Sequence, residues 1–140
     1  MKKTISVVLF LAIMCSCIFS YALAETPESR ASDYFSSYGT SMSAPGGGRI
    51  AVTFRAVGTG ICNQIGVANY SIQRLNDDGE WVAASGLLSG QTGSNVASYS
   101  FGRYFQGVAG ETYRVVVTFL CTINNSTECK AYTSGRVTAK

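Results

Sequence analysis

The chain contains no histidine. Its absence excludes Ser-His-Asp and Cys-His nucleophile systems and every histidine-ligated metal centre. Carboxylates are few as well, with eight Asp and Glu side chains in 140 residues. None of their pairs is expected on facing core strands, where a glycosidase needs two carboxylates ~5 to 10 Å apart. We therefore predict a protein that is not an enzyme and has no cofactor or metal site; a small hydrolase is kept as a third hypothesis.

The chain also lacks a basic run. Its formal net charge is +3, and removing the two lysines near the N-terminus lowers this to about +1. The nine other Lys and Arg residues stand singly along the chain. This distribution argues against a nucleic-acid partner. After the N-terminal segment, no apolar stretch is long enough to cross a bilayer.

The first 24 residues have the pattern of an export signal. Lys2 and Lys3 precede an apolar run over residues 5–19, and the small-x-small sequence at 22–24 predicts cleavage after Ala24. A retained membrane anchor is one alternative, and lipid attachment at Cys17, which follows a poor lipobox, is another. We expect a secreted, extracellular protein with a signal peptide (1–24), a flexible tether (25–32) and a single β-sandwich domain (33–140).

The strongest strand signal lies at residues 113–121. Alternate positions carry one apolar row: Tyr113, Val115, Val117, Phe119 and Cys121. The opposite face is partly apolar too, which is typical of a strand in the middle of a sheet. Because the tyrosine follows a short turn after residues 105–108, it resembles the tyrosine corner of immunoglobulin-type domains, in which the hydroxyl bonds back to the backbone. An ordinary core aromatic is the alternative.

Further strand patterns occur along the whole domain, and no amphipathic helix pattern interrupts them. The Asn-Asp-Asp-Gly sequence at 76–79 is a hairpin signal. The predicted strands lie near residues 34–42, 50–56 (ended by Gly-Thr-Gly at 58–60), 67–73, 80–84, 96–101, 113–121 and 130–138, with 85–94 mostly a loop. About seven antiparallel strands predict an all-β, immunoglobulin- or fibronectin-type-III-like two-sheet sandwich.

Three cysteines follow the predicted cleavage point: Cys62, Cys121 and Cys129. An oxidising exterior permits one disulfide and leaves one thiol over. One possible strand register places Cys121 opposite Cys129. Another places Cys121 opposite Cys62 and Tyr70 opposite Tyr113. Both registers keep the apolar faces together, so the alternation of side chains does not decide between them. Closing a loop of about 60 residues constrains the unfolded chain more than closing about nine, which slightly favours Cys62–Cys121. Three reduced thiols are the remaining alternative.

Exposed aromatic rings are the candidate binding groups, since sugars stack on such rings. Trp81 follows the hairpin turn, where it can cover an open sheet face. Two aromatic clusters precede strong strand signals, at residues 34–38 and 99–105. In sandwich domains most aromatic side chains fill the core instead. The acidic residues at 77–80 lack the ligand spacing of a calcium loop, and we interpret them as a solvated turn.

Several segments together resemble a family of small secreted proteins of unknown function from clostridia-like Gram-positive bacteria. They lie at residues 31–38, 48–54, 58–60 with 65–67, 108–113 and 132–134. The resemblance implies export and a β-rich domain, and it supplies no catalytic residue. Cys129 departs from the pattern, which has a small polar residue there.

These observations favour a non-enzymatic extracellular or envelope-associated binding module whose partner is an unknown protein or glycan. The alternative is a carbohydrate-binding module that uses Trp81 or the tyrosines as stacking platforms.

Overall fold

The computed structural model describes residues 32–140. The predicted signal peptide, and the tether up to residue 31, lie outside the described residues. The described part contains no helix, so no helix in it is long enough to cross a membrane. Its strands are β1 (Phe35–Gly46), β2 (Arg49–Leu75), β3 (Trp81–Ala83), β4 (Leu88–Ser89), β5 (Thr92–Gln106), β6 (Thr112–Ile123), β7 (Ser126–Thr133) and β8 (Val137–Thr138).

All pairings are antiparallel, and β2 is the central strand. Its first half lies between β1 and β5, whereas its second half pairs with β6 on one side and with β3, β4 and the start of β5 on the other. β7 and β8 pair with β6. The all-β prediction is therefore confirmed. The ladder is one curled sheet of eight strands, and the two-sheet immunoglobulin-like order is not confirmed.

β2 reverses direction part-way along its length, so that the apolar side chains of its two halves face each other. Phe54 and Tyr70 both lie on this strand, sixteen positions apart, yet their ring centroids are 4.9 Å apart. A straight strand rises about 3.3 Å per residue and would separate them by about 50 Å. The two halves of β2 therefore face each other across the core, and they bring β1 and β5 over β6.

The reversal occurs at a bulge between Val57 and Cys62, where the ladder to β5 shifts. Gly58 allows it, because a Cβ there would overlap the Sγ of Cys62 and lie 2.9 Å from the carbonyl oxygen of Gly60. Bulges bend the strand that carries them and increase its twist. The prediction that the strand ends at residues 58–60 is wrong: the glycines bend β2 and do not terminate it.

β6 confirms the alternation predicted for it. Its buried row is the predicted one (Tyr113, Val115, Val117, Phe119 and Cys121), and the residues between them are half-buried. Full burial of a valine or phenylalanine side chain contributes roughly 1.5–3 kcal/mol. This row packs against Ile50, Val52 and Phe54 of β2 in one core.

Two other local predictions have different outcomes. The hairpin at 76–79 is present, with Asn76 accepting hydrogen bonds through Oδ1 from the backbone N–H groups of Asp78 and Glu80. The loop predicted for 85–94 is partly wrong, since it contains β4 and the start of β5. Glycine, serine and threonine obscured these strands, because their side chains provide little of the apolar alternation on which the prediction depends.

Tyr113 makes the hydrogen bond predicted for a tyrosine corner. Its hydroxyl accepts from the backbone N–H of Val108 at 2.9 Å, and the residue is 4% exposed. The ring packs edge-on against Phe105, with centroids 5.5 Å apart. The connection between β5 and β6 is thereby attached to the core.

The start of the domain is held to β7 by polar contacts. The Ser32 hydroxyl donates to Glu128 Oε1 at 2.6 Å and accepts from the backbone N–H groups of Tyr34 and Phe35. Lys130 Nζ lies 2.9 Å from the same carboxylate oxygen. The hydrogen bond from Ser32, followed by that from Lys130, lowers the pKa of Glu128 from its usual 4.5.

Replacing Tyr113 with Phe should destabilise the domain by about 1–2 kcal/mol, because the Val108 N–H loses its acceptor. Urea unfolding measures the difference. Tyr104→Phe is the matched control, since that ring is 69% exposed, and it should change stability by less than about 0.5 kcal/mol. Equal unfolding midpoints for the two variants would contradict the role of the Tyr113 hydroxyl.

Glu128→Gln should lower stability at pH 7 and have a smaller effect at pH 3. Because folding lowers the pKa of Glu128, the carboxylate stabilises the folded state fully above its unfolded pKa. That stabilisation is lost as the pH falls through the folded pKa. Urea unfolding of both proteins at the two pH values, with Glu80→Gln as the control, tests this. A gap of the same size at both pH values would disprove it.

Candidate functional site

Trp81, the predicted stacking residue, has one ring face occupied. The Arg114 guanidinium lies over the indole, with its central carbon 4.3 Å from the ring centroid. Arg114 is itself held by a hydrogen bond of 2.7 Å from its Nε to Gln73 Oε1. This cation–π contact occupies one of the two ring faces on which a sugar could stack. Trp81 is half-buried at the end of the sheet, opposite Leu75.

Most of the other candidate aromatic residues belong to the interior. Phe35 is buried, and a further group packs against the core from half-buried positions: Tyr34, Tyr38, Tyr99, Phe101 and Phe105. Tyr38, for example, contacts Phe119 and Tyr132 at centroid distances of 5.4 and 6.2 Å. Tyr104 is the exposed member of the set, at 69%. Along β5 the odd-numbered aromatics point inward, and Tyr104, at an even-numbered position, points outward. The sequence shows this parity, but it does not show which side of the strand faces the core.

Cys62 and Cys121 meet in the core. Both are buried, and their Sγ atoms lie 3.0 Å apart without a bond. The register is not the predicted one: Cys121 is opposite Ile65, Cys62 is opposite Val96, and Tyr70 is opposite Val117. The bulge before Cys62 brings the sulfurs together. The disulfide between them stays a prediction.

Cys129 does not face Cys121. It lies opposite Leu120 and is exposed, while Cys121 lies opposite Glu128. The predicted register was wrong by one residue, and such a slip moves a side chain to the other face of the sheet. This geometry contradicts the Cys121–Cys129 alternative.

The Cys121 thiol is protonated at neutral pH. Burial raises its pKa to about 12, and the hydrogen bond with Cys62 adds to the increase. The thiolate is the nucleophilic form of cysteine. In the folded protein, therefore, Cys121 reacts slowly with external reagents.

Carboxylates do not converge anywhere in residues 32–140, where no group of three or more His, Cys, Asp or Glu side chains could hold a metal ion. Asp77, Asp78 and Glu80 are exposed in the hairpin turn. Glu111 pairs with Arg74 at 3.2 Å.

A polar surface covers the side of β1, β2 and β5 that points away from the core. We call it the outer face. It consists of the odd-numbered residues 37–43 and 49–57 and the even-numbered residues 98–106, which the strand registers align in three rows. The alternate residues of β2, from Ile50 to Ala56, are fully or almost fully buried. The outer face is thus one side of a three-stranded layer whose other side packs in the core.

Hydroxyl groups dominate the outer face: seven of its fourteen positions are Ser, Thr or Tyr. A depression of about 480 Å³ lies there. Its lining includes Arg55, Ser37, Ser41, Thr53 and Ser100. Thr40 also borders it, and the buried Oγ1 of Thr40 has no hydrogen-bond partner.

Arg55 is the charged residue in the lining of this depression. It is exposed, and Gly39 and Ser100 are directly opposite it on the two neighbouring strands. Among residues 32–140, no side chain forms an ion pair with Arg55, and its guanidinium makes no hydrogen bond. At the other end of the outer face, the Arg49 guanidinium lies 5.4 Å from the centre of the Tyr104 ring.

The outer face could not be predicted from the sequence. The alternation of Ala51, Thr53 and Arg55 is visible there, but the pairing that places the polar rows of β1 and β5 beside it is not. One feature of the sequence does distinguish the outer face: none of its three rows contains an Asp or Glu.

Comparisons with known proteins give no functional assignment. No protein-family model and no curated protein matches the chain. A crystal structure of a protein from Archaeoglobus fulgidus is similar with a TM-score of 0.41 and 14% sequence identity, over 76% of this chain and 98% of that one. Likeness at this level carries no argument about function.

We predict that Cys62 and Cys121 form a disulfide when a chain of residues 25–140 is refolded with oxidised glutathione. The two thiols give up two protons and two electrons, and the glutathione disulfide is reduced to two thiols. Alkylation in denaturant without reductant should then label Cys129 alone, and alkylation after reduction should label all three cysteines. Peptide mapping identifies the labelled sites. Labelling of all three cysteines before reduction, or a bond that includes Cys129, would refute the pairing.

Proposed function

We propose that the protein is a non-catalytic extracellular binding module whose ligand lies on the outer face. The main support is the depression that Arg55, an exposed cation, lines together with several hydroxyl side chains. Binding sites commonly combine a preformed surface with a few polar groups that orient the ligand. The export signal predicted at residues 1–24 supports an extracellular location, where an envelope component or a secreted glycan is the partner.

We also infer that the domain works as a two-layer sandwich, as immunoglobulin-like modules do. Support comes from the ring contacts between the arm formed by β1 and β5 and the arm formed by β6 and β7. Phe105 contacts Tyr113 at 5.5 Å, and Tyr38 contacts Phe119 at 5.4 Å. In such a scaffold the layers supply stiffness, and one exterior surface is available for recognition.

Carbohydrate binding through Trp81 is the second candidate function. The indole is partly exposed, and Arg114 covers one of its two faces. This candidate requires a sugar ring that stacks on the other face. The ligand would then lie at the β2–β3 hairpin, away from Arg55.

A steric block distinguishes the two candidates. Thr53→Trp places a large ring in the middle of the outer face, where Thr53 is exposed. Thr133→Trp is the matched control, because Thr133 is an exposed strand threonine on β7. Binding to an isolated envelope fraction and to an immobilised glycan panel is measured for both variants and for Trp81→Ala.

Thr53→Trp should weaken binding about tenfold or more, which corresponds to ~1.4 kcal/mol. Thr133→Trp and Trp81→Ala should bind like the parent protein. Loss of binding in Trp81→Ala alone would support the sugar-stacking candidate. Equal binding by all variants would exclude the outer face.

A further inference from the structure

We propose that the outer face binds an acidic polysaccharide that runs along β2, with one carboxylate at Arg55 and another at Arg49. This inference rests on the proposed function and names its ligand class.

Charge is distributed unevenly over the domain. Residues 32–140 contain eight Lys and Arg side chains, two of which lie on the outer face. The six others are equal in number to the six carboxylates of the same residues, and none of those carboxylates is on the outer face. The excess positive charge of the described domain is therefore concentrated there. Such a patch attracts anionic ligands and steers their approach.

Arg55 has the chemistry to receive a carboxylate. A guanidinium presents several N–H donors in a planar fork that matches the two oxygens of a carboxylate. Gly39, on one side, has no side chain to cover the fork. Ser100, on the other side, supplies a hydroxyl on a strand about 4.8 Å away. The hydroxyls of Ser37 and Ser41 extend the polar lining on the glycine side.

Arg49 provides a second contact of a different kind. Its guanidinium is positioned over the Tyr104 ring, and that ring is 69% exposed. The pair offers a cation beside a flat apolar surface, and such surfaces stack against sugar rings. Arg49 and Arg55 are six residues apart on one strand, which corresponds to about 20 Å. A ligand that contacts both is thus an extended chain.

The spacing favours a polysaccharide over a nucleic acid. A nucleic-acid strand carries one negative charge about every 3.4 Å, or about six charges along the same 20 Å. The outer face offers two cations for that length, so most phosphates would remain unpaired. A sugar chain with acidic groups on only some of its rings matches two arginines, and its hydroxyls can pair with the serine and threonine rows.

Titration with hyaluronan, which carries a carboxylate on every second sugar, tests the inference, with neutral dextran, poly(glycerol phosphate) and a poly(dT) oligonucleotide as comparison ligands. We expect hyaluronan to bind most tightly and its affinity to fall as salt is raised. Arg55→Ala should weaken binding about tenfold, and Arg55→Lys should restore only part of it, since lysine cannot bind in a bidentate manner. Arg136→Ala, which removes an exposed arginine outside the face, should have no effect.

Tighter binding of poly(dT) or poly(glycerol phosphate), or equal losses for Arg136→Ala and Arg55→Ala, would overturn the inference. Salt-independent binding, or equal binding of dextran, would overturn it while leaving the proposed function intact, provided that Thr53→Trp still blocks binding. If no glycan binds and Thr53→Trp has no effect on the envelope fraction, both proposals fail. Urea unfolding of each variant confirms that the fold is retained.

Discussion

The structure depends on the reversal of β2 between Val57 and Cys62. Apolar side chains continue along this strand on both sides of the bend. The two halves can bury these side chains in one core only if the strand folds back on itself. The bend is held from outside by Thr59, whose N–H and hydroxyl donate to the backbone carbonyls of Tyr34 and Asp33. Because β1 and β5 pair with the first half and β6 with the second, their positions follow from the bend. The contact between Cys62 and Cys121 is a further result of it.

Features with a local cause could be predicted from the sequence. The row on β6 follows from strict alternation, the hairpin at 76–79 follows from its turn residues, and the Tyr113 hydrogen bond follows from the corner preceding the strand. The continuity of β2 could not be predicted, because Gly-Thr-Gly at 58–60 has the composition of a turn. Only tertiary packing distinguishes a bent strand from one that ends. The same long-range information decides the register, which is why the cysteine pairings were aligned incorrectly even though the preferred pair is the one in contact.

The candidate site illustrates a different limit. Parity predicts that Thr53 and Arg55 share one side of β2, and the structure agrees. The two flanking rows come from segments about fifteen residues before and about forty-five residues after them, so their adjacency depends on strand pairing. Aromatic residues were the candidate binding groups in the sequence because their rings offer large contact surfaces. The same size makes them suitable for the core. The groups left at the surface are small hydroxyls and two arginines, which have no motif of their own.

The separation of the two sides of β2 has a consequence for how such a domain can change over time. The inward residues are constrained by packing, whereas substitutions on the outer face remove no core contact and typically alter stability by less than about 0.5 kcal/mol. Mutation can therefore exchange serine, threonine or arginine there while the backbone stays the same. Under the proposed function, such exchanges would change which ligand is preferred without changing the fold.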